Sequence, residues 1–546
     1  MGIEGSGQRR RRSLQLPLDL PIPSGLTSCV PGVFFGRVSL LRLLFLIAAV
    51  LAVPMPALGA WHEAKTRHFL IYSDEEPESL RQYAAKLERF DQAVRLARKM
   101  ADPPLTDAGR LTIYALKDVA ALDRVAGTGS RIFGLYSTRA SGSYAFVART
   151  KPKGPGEINS DIVFYHEYAH HLMLQDLSAY YPPWLVEGFA EFLSTAQIAG
   201  DGKVTFGAAA NHRSAGVFAP DKRLTISAMV GDSYRSLDGW QWELLYSRGW
   251  LLTHYLTFEP SRKGQLDRYV EGIRSGQTPA KSAGAAFGDM LRLTRELDGY
   301  ARRKTLSGTV VQTDSSKIGP VDIRPLGVGE AAIMAVRMQS SLGVSRATAG
   351  RVAAQARKIA AQFPNDPVVQ STLAEAEHDA RNYDAAIAAA DRALAADPRN
   401  ANALVYKGRS LMRLAKDNPA GADLEGIRKW FVRANHADPE NPEPLMLFYQ
   451  TYKDAGAVAT ASATKGLLYA LVLAPQDDRL RLLSVRQLLV DGRIAEARQA
   501  FAPLAFDPHA RRFHDTAQDI LAAIEASDAA HALSLIDEWN DKQDHD

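Results

Sequence analysis

The chain has one cysteine, Cys29, near its start and none after it. One thiol excludes intrachain disulfides and thiolate metal centres, so any metal bound here needs nitrogen and oxygen ligands. A thiol-free mature chain suits an oxidising compartment. A surplus of charge is also missing. The formal net charge is +4, and all of it lies in the first sixty residues, where Arg9, Arg10, Arg11, Arg12, Arg37 and Arg42 face only Glu4 and Asp19. From Trp61 onward the chain is formally neutral. A pI near 8.9 therefore describes the leader and excludes a nucleic-acid-binding surface as its source. The apolar run from Leu43 to Val53 is short for a membrane-spanning helix.

That leader has the parts of a secretory signal: basic residues to Arg42, an apolar segment over about 43–57, and small residues before Trp61. Cleavage after Gly59 or Ala60 would export the protein to the periplasm or the exterior. The alternative is an uncleaved N-terminal anchor, the one membrane attachment expected. At 546 residues, with 46% hydrophobic and 23% charged residues, the chain is expected to fold as two or three soluble domains.

After Trp61 the pattern is α/β. His68–Ser73 and Leu111–Leu116 are aromatic and branched enough for strands. Between them Leu80, Tyr83, Ala84, Leu87, Phe90, Val94 and Ala97 follow a helical period from Pro77, ended by Asp102-Pro103-Pro104. A short helix closes at Gly127. A hairpin, Gly134–Thr138 and Ser143–Thr150, turns at Ala140-Ser141-Gly142. It is either an edge that pairs with an extended peptide or one more strand of the sheet.

Next comes Tyr165-His166-Glu167-Tyr168-Ala169-His170-His171, on a helix capped by Ser160 or Asp161. His166 and His170, four apart, project from one face and can share a metal ion. Glu167 lies about 100° round the helix, in reach of a water at that ion. Tyr181-Pro182-Pro183 breaks the chain, and Pro183 suits the first turn of a second helix. There Glu187 and Glu191 stand one turn apart. Either can complete a set of three ligands suited to Zn²⁺ with a fourth position open, leaving the other to hold an imidazole by its far N–H. His171 is expected to be a surface or supporting histidine, and Tyr180 and Tyr181 packing residues. Trp242, Leu245, Tyr246, Trp250, Leu251, His254 and Tyr255 fall on a later helix with a large aromatic face.

The second half is helical and repetitive. After a Gly/Ser/Thr-rich stretch near Thr305–Pro325, helix ends recur at Pro364-Asn365, Asp397-Pro398, Asp438-Pro439, Ala474-Pro475 and Asp507-Pro508. The proline spacings of 34, 41, 36 and 33 residues centre on the tetratricopeptide period, with an insertion near Lys416–Leu424. Such repeats stack into a solenoid with a groove that takes a protein or peptide partner, or form a rigid cap without one.

His166-Glu167-x-x-His170 followed by Trp184-Leu185-Val186-Glu187-Gly188-Phe189-Ala190 resembles the gluzincin metallopeptidases. The resemblance implies Glu187 as third zinc ligand, Glu191 as the carboxylate supporting an imidazole, and Glu167 as general base. Related zinc peptidases place a Tyr or His of a later helix at the oxyanion, which implies Tyr246, with His254 in reserve. Sixteen residues separate His170 from Glu187, fewer than in aminopeptidases and thermolysin-like enzymes, so the connection must be tighter. Across nearly all of the mature chain the sequence is similar to exported bacterial proteins with a peptidase-MA-like domain followed by tetratricopeptide repeats. That likeness implies peptide-bond hydrolysis and names no substrate. No motif for capturing a free peptide amine is present, which favours an endopeptidase.

The expected architecture is a leader over 1–60, an α+β zincin-like domain over 61–304, a linker over 305–327 and an all-α tetratricopeptide solenoid over 328–546. The rival function is a non-catalytic exported scaffold with a structural metal site.

Overall fold

A computed structural model describes residues 61–127, 129, 132–150, 157–174, 181–219, 224–231, 237–505 and 514–545. The expected leader, with Cys29 and its apolar run, lies outside them, as do Tyr180 and the helix end expected at Asp507-Pro508. No helix among the described residues is long and apolar enough to cross a membrane.

The N-terminal half is built on a six-stranded sheet. In chain order its elements are β1 (His62–Lys65), β2 (Phe69–Ser73), helix α1 (Pro77–Arg98), β3 (Leu111–Leu116), α2 (Val119–Ala126), and the hairpin β4 (Gly134–Arg139) and β5 (Gly142–Ala148). Strand alternation sends Phe69, Ile71, Leu111, Ile113, Ala145 and Val147 to one face, where they pack with α1 and the motif helix α3 (Ser160–Leu174). The opposite face carries Tyr72, Tyr114 and Phe146, paired in register and stacked at ring distances of 5.7 and 4.8 Å.

Beyond α3 come α4 (Pro183–Ser194), a three-stranded sheet of β6 (Gln197–Ile198), β7 (Lys203–Phe206) and β8 (Thr309–Gln312), and the helices α5 (Gly239–Phe258) and α6 (Gln265–Arg274). The last strand of the main sheet is β9 (Asp322–Pro325), giving the order β4-β5-β3-β2-β1-β9. β4 and β9 are therefore the edges.

The stretch read as a linker over 305–327 is corrected. Thr309–Gln312 pairs with β7, and Asp322–Pro325 pairs with β1 with His62 opposite Pro325. Four-residue strands are too short to show alternation, and a proline is tolerated where a strand has one free side.

The C-terminal half forms antiparallel helix pairs: α7 and α8 (Val328–Leu342, Arg346–Ala360), α9 and α10 (Pro367–Asp379, Tyr383–Ala396), α11 and α12 (Ala401–Asp417, Leu424–Ala437), α13 and α14 (Pro442–Asp454, Ala461–Leu473), α15 and α16 (Asp478–Val490, Ile494–Ala505), and α17 and α18 (His514–Glu525, Ala529–His545). Each described turn between one pair and the next falls at an expected proline. The insertion is the long α11 with a 3₁₀ turn at Pro419–Gly421.

α7 belongs to both halves. Ile333 and Val336 face the repeat core, while Met334 and Met338 lie against the Tyr72–Tyr114–Phe146 ladder. The array bends round the β4–β5 tip. Arg139 donates to the Ser340 carbonyl at the end of α7 (3.2 Å). From the α14–α15 turn, the Gln476 carbonyl accepts from Thr138 Oγ1 (3.0 Å), Asp477 Oδ2 accepts from the Ala140 amide (2.6 Å), and Gln476 Nε2 donates to Ser143 Oγ (2.8 Å). Ala140 is 3% exposed in an apolar cluster with Leu404, Phe431 and Leu447. Asp379, Glu443 and Asp477, on or beside the first helices of three pairs, all lie in electrostatic reach of Arg139. The repeat surface expected to receive a partner thus receives a hairpin of the same chain.

Candidate metal centre

α3 starts at Ser160 because the Asn159 side chain accepts from the amides of Asp161 (2.9 Å) and Ile162 (3.1 Å). Asn159 is the cap expected of Ser160 or Asp161. Phe164, Tyr165, Tyr168, Ala169 and Leu172 bury one face, with Tyr165 stacked on Phe90 of α1 at 4.1 Å. That packing fixes the helix rotation and turns His166 and His170 toward α4. Pro183 begins α4 as expected.

α4 and α5 cross at two glycines. A Cβ on Gly188 would lie 2.4 Å from the Gly249 carbonyl, so only hydrogen at both positions allows this approach. The crossing brings Glu187 and Glu191 of α4 to the motif histidines and Tyr246 of α5 against the His166 ring.

Three donor atoms converge. His166 Nε2 and His170 Nε2 are 3.1 Å apart, and Glu187 Oε2 is 3.3 and 3.5 Å from them. Tetrahedral bonds of about 2.0–2.1 Å place ligand atoms about 3.3 Å apart, so the triangle matches a zinc face. All three side chains are buried, with Glu187 at 0% exposure. Burial opposes charge on His166, yet the Glu187 and Glu191 carboxylates push its imidazole up to about 10. Burial would likewise raise Glu187, but the two imidazoles drive it well below the usual carboxylate range. The donor set attracts positive charge to its middle, and its nitrogen and oxygen chemistry fits zinc.

Glu191 does not join the triangle. Its Oε1 lies 3.2 Å from His166 Nδ1, and it also accepts from Arg213 (2.7 Å) and faces His212 Nε2 (2.8 Å). It orients His166 from behind. Arg213 also donates to Glu243 (2.7 Å) and lies over the Tyr246 ring at 4.8 Å. His212, Arg213 and Glu243 were missed in the sequence, where no spacing ties Asn211–Arg213 to either motif.

Glu167 is half-buried beside Gly134, Leu135 and Tyr136 of the edge strand. Tyr246 stacks on His166 at 6.0 Å, and burial together with the Glu187 charge holds its hydroxyl protonated. His254 is not brought to the centre. It is fully buried among Phe192, Trp250 and Phe258, with Nε2 on the Gly207 carbonyl (3.0 Å) and Nδ1 on the Tyr300 hydroxyl (2.9 Å). Both nitrogens are used, so His254 is a core residue, as are Trp250 and Tyr255.

His171 is buried rather than on the surface. Burial and the charges of Arg95 and His68 push it down to about 4, and its Nδ1 lies 2.8 Å from the Tyr136 hydroxyl on β4. A neutral imidazole accepts there, tying the edge strand to the motif helix.

A second buried trio, His68, Glu88 and Asp91, has metal-like spacing. Its demands are met internally: Glu88 accepts from the His68 amide, and Asp91 accepts from Arg95 and the Tyr168 hydroxyl. It anchors α3 through Tyr168.

No protein-family model matches the chain. No curated protein matches it either. Among solved structures, a crystal structure of a thermophilic TPR protein from Thermus thermophilus aligns with 18% identity and a TM-score of 0.30, covering 35% of this chain and 99% of that one. The repeat description rests on the helix pairing itself.

Proposed function

We propose that this chain is an exported zinc metallopeptidase that cuts within polypeptides. The observation that carries the reading is the His166–His170–Glu187 triangle, with Glu191 behind His166. Zinc held there would polarise a scissile carbonyl and lower the pKa of a water. Glu167 takes a proton from water and passes it to the leaving amine. Glu191 keeps the proton on His166 Nδ1, so that Nε2 points to the centre. The protonated Tyr246 hydroxyl donates to the developing oxyanion. The outer edge of β4, beside Glu167, offers backbone groups to an extended substrate.

The second reading is a non-catalytic exported scaffold in which the same buried triangle holds a structural metal and the repeats bind a partner. A peptide library digested by wild-type protein and by Glu167→Gln, with zinc quantified in both, separates the two. About one zinc per chain is expected in each, with cleavage falling at least about 100-fold in the variant. Failure to bind zinc, or unchanged turnover without Glu167, overturns the proposal.

A further inference from the structure

Arg213 comes from a single 3₁₀ turn, Asn211–Arg213, between β7 and α5. The chain is pinned to α5 on both sides of that turn. Before it, the Gly207 carbonyl accepts from His254 Nε2 (3.0 Å). After it, Gly216 packs so closely that a Cβ there would stand 2.3 Å from Ser247 Oγ. The turn therefore delivers His212 and Arg213 to a fixed place, where His212 meets Oε2 of Glu191 and Arg213 meets Oε1.

Two carboxylates on different helices fix the Arg213 guanidinium. Nη2 donates to Glu191 of α4 and Nη1 to Glu243 of α5, each at 2.7 Å. Glu243 is held in turn by Ser247, whose hydroxyl donates to its Oε1 at 3.0 Å. A planar fork with both arms engaged is locked in orientation. That fork lies over the Tyr246 ring at 4.8 Å, and the same ring stacks on His166 at an interplanar angle of 13°.

Tyr246 needs such a hold. It is only half-buried, and its hydroxyl, close to the Glu187 carboxylate, sits at the end of a ring that can swing about two side-chain torsions. Displacing a reacting group by about 1 Å can cost about 100-fold in rate. Lysine would supply the charge of Arg213 without its plane or its second arm. We infer that Arg213 is the positioning residue for Tyr246: its guanidinium, fixed by Glu191 and Glu243, holds the ring against His166 and so keeps the hydroxyl beside Glu187. This inference rests on the peptidase reading and adds to it a residue that acts through Tyr246.

The test is fluorine NMR of the full chain labelled with fluorotyrosine, with and without zinc, the Tyr246 resonance being the one that Tyr246→Phe removes. In Arg213→Lys that resonance is expected to move most of the way to the position of free fluorotyrosine. Glu243→Gln, which frees one arm of the fork, should move it less in the same direction. His212→Gln, which loosens Glu191 alone, should leave it in place. In peptide cleavage, Arg213→Lys is expected to lower kcat about ten-fold with KM unchanged and zinc retained. Adding Tyr246→Phe should abolish that effect, so that the double variant matches Tyr246→Phe alone. An unmoved resonance in Arg213→Lys, an equal shift in His212→Gln, loss of zinc from Arg213→Lys, or losses that multiply in the double variant overturn the inference and leave the peptidase reading standing. The expected shifts in a chain without zinc-dependent cleavage sink the peptidase reading instead.

Discussion

Tyr246 lies between the His166 ring and the Arg213 guanidinium, with the buried Glu187 carboxylate close by. The ring would pack equally well as phenylalanine, so the hydroxyl can be tested without opening a hole. Tyr246→Phe is expected to keep zinc and KM while kcat falls by about 10–100-fold. An unchanged kcat would reduce Tyr246 to a packing residue. His254 shows the opposite case on the same helix: its two nitrogens serve a carbonyl and a tyrosine hydroxyl, leaving nothing for chemistry. Sequence periodicity placed both residues on an aromatic helix face. It could not say which turn of that helix meets the motif histidines, because that depends on where α4 crosses.

That crossing is decided at the level of elements. Gly188 and Gly249 let α4 and α5 touch backbone to backbone, and this contact holds Glu187 and Tyr246 to one side of the motif helix. A Cβ at Gly249 would stand 2.8 Å from the Trp184 carbonyl, which cannot rotate away. Gly249→Ala is therefore expected to cost about 1–3 kcal/mol in urea unfolding and to weaken zinc binding as Glu187 moves off the histidines. Unaltered stability and zinc affinity would show that the helices tolerate a wider spacing. The hairpin and the α3 and α4 helices were legible because each has a local signature: alternation, a His-x-x-x-His face, a Pro at the first turn. β8 and β9 were not, since short strands are made by their partners rather than by their own residues.

At the scale of the whole molecule, the repeats and the sheet share α7, and the α14–α15 turn closes on the hairpin. Asp477 serves two donors, the Ala140 amide and the Leu480 amide that starts α15. Asparagine caps a helix well but offers only one side-chain oxygen, so Asp477→Asn should keep α15 and release the hairpin. Amide exchange over residues 134–148 is expected to speed up by about ten-fold, the effect of losing one hydrogen bond of about 1–1.5 kcal/mol. If exchange there stays at the wild-type rate, the repeats do not hold the edge strand.

By itself the sequence determined the helix-borne histidine pair, the acidic helix after it, the hairpin and the proline-marked repeats, because these arise from residues close in the chain. Only the tertiary structure decided that Glu187 meets the histidines while Glu191 supports one, that His212 and Arg213 complete the support, that His254 is core, and that the repeats grip the hairpin. Those outcomes depend on helices crossing at glycines and on contacts between residues as many as 338 positions apart, which no local pattern encodes.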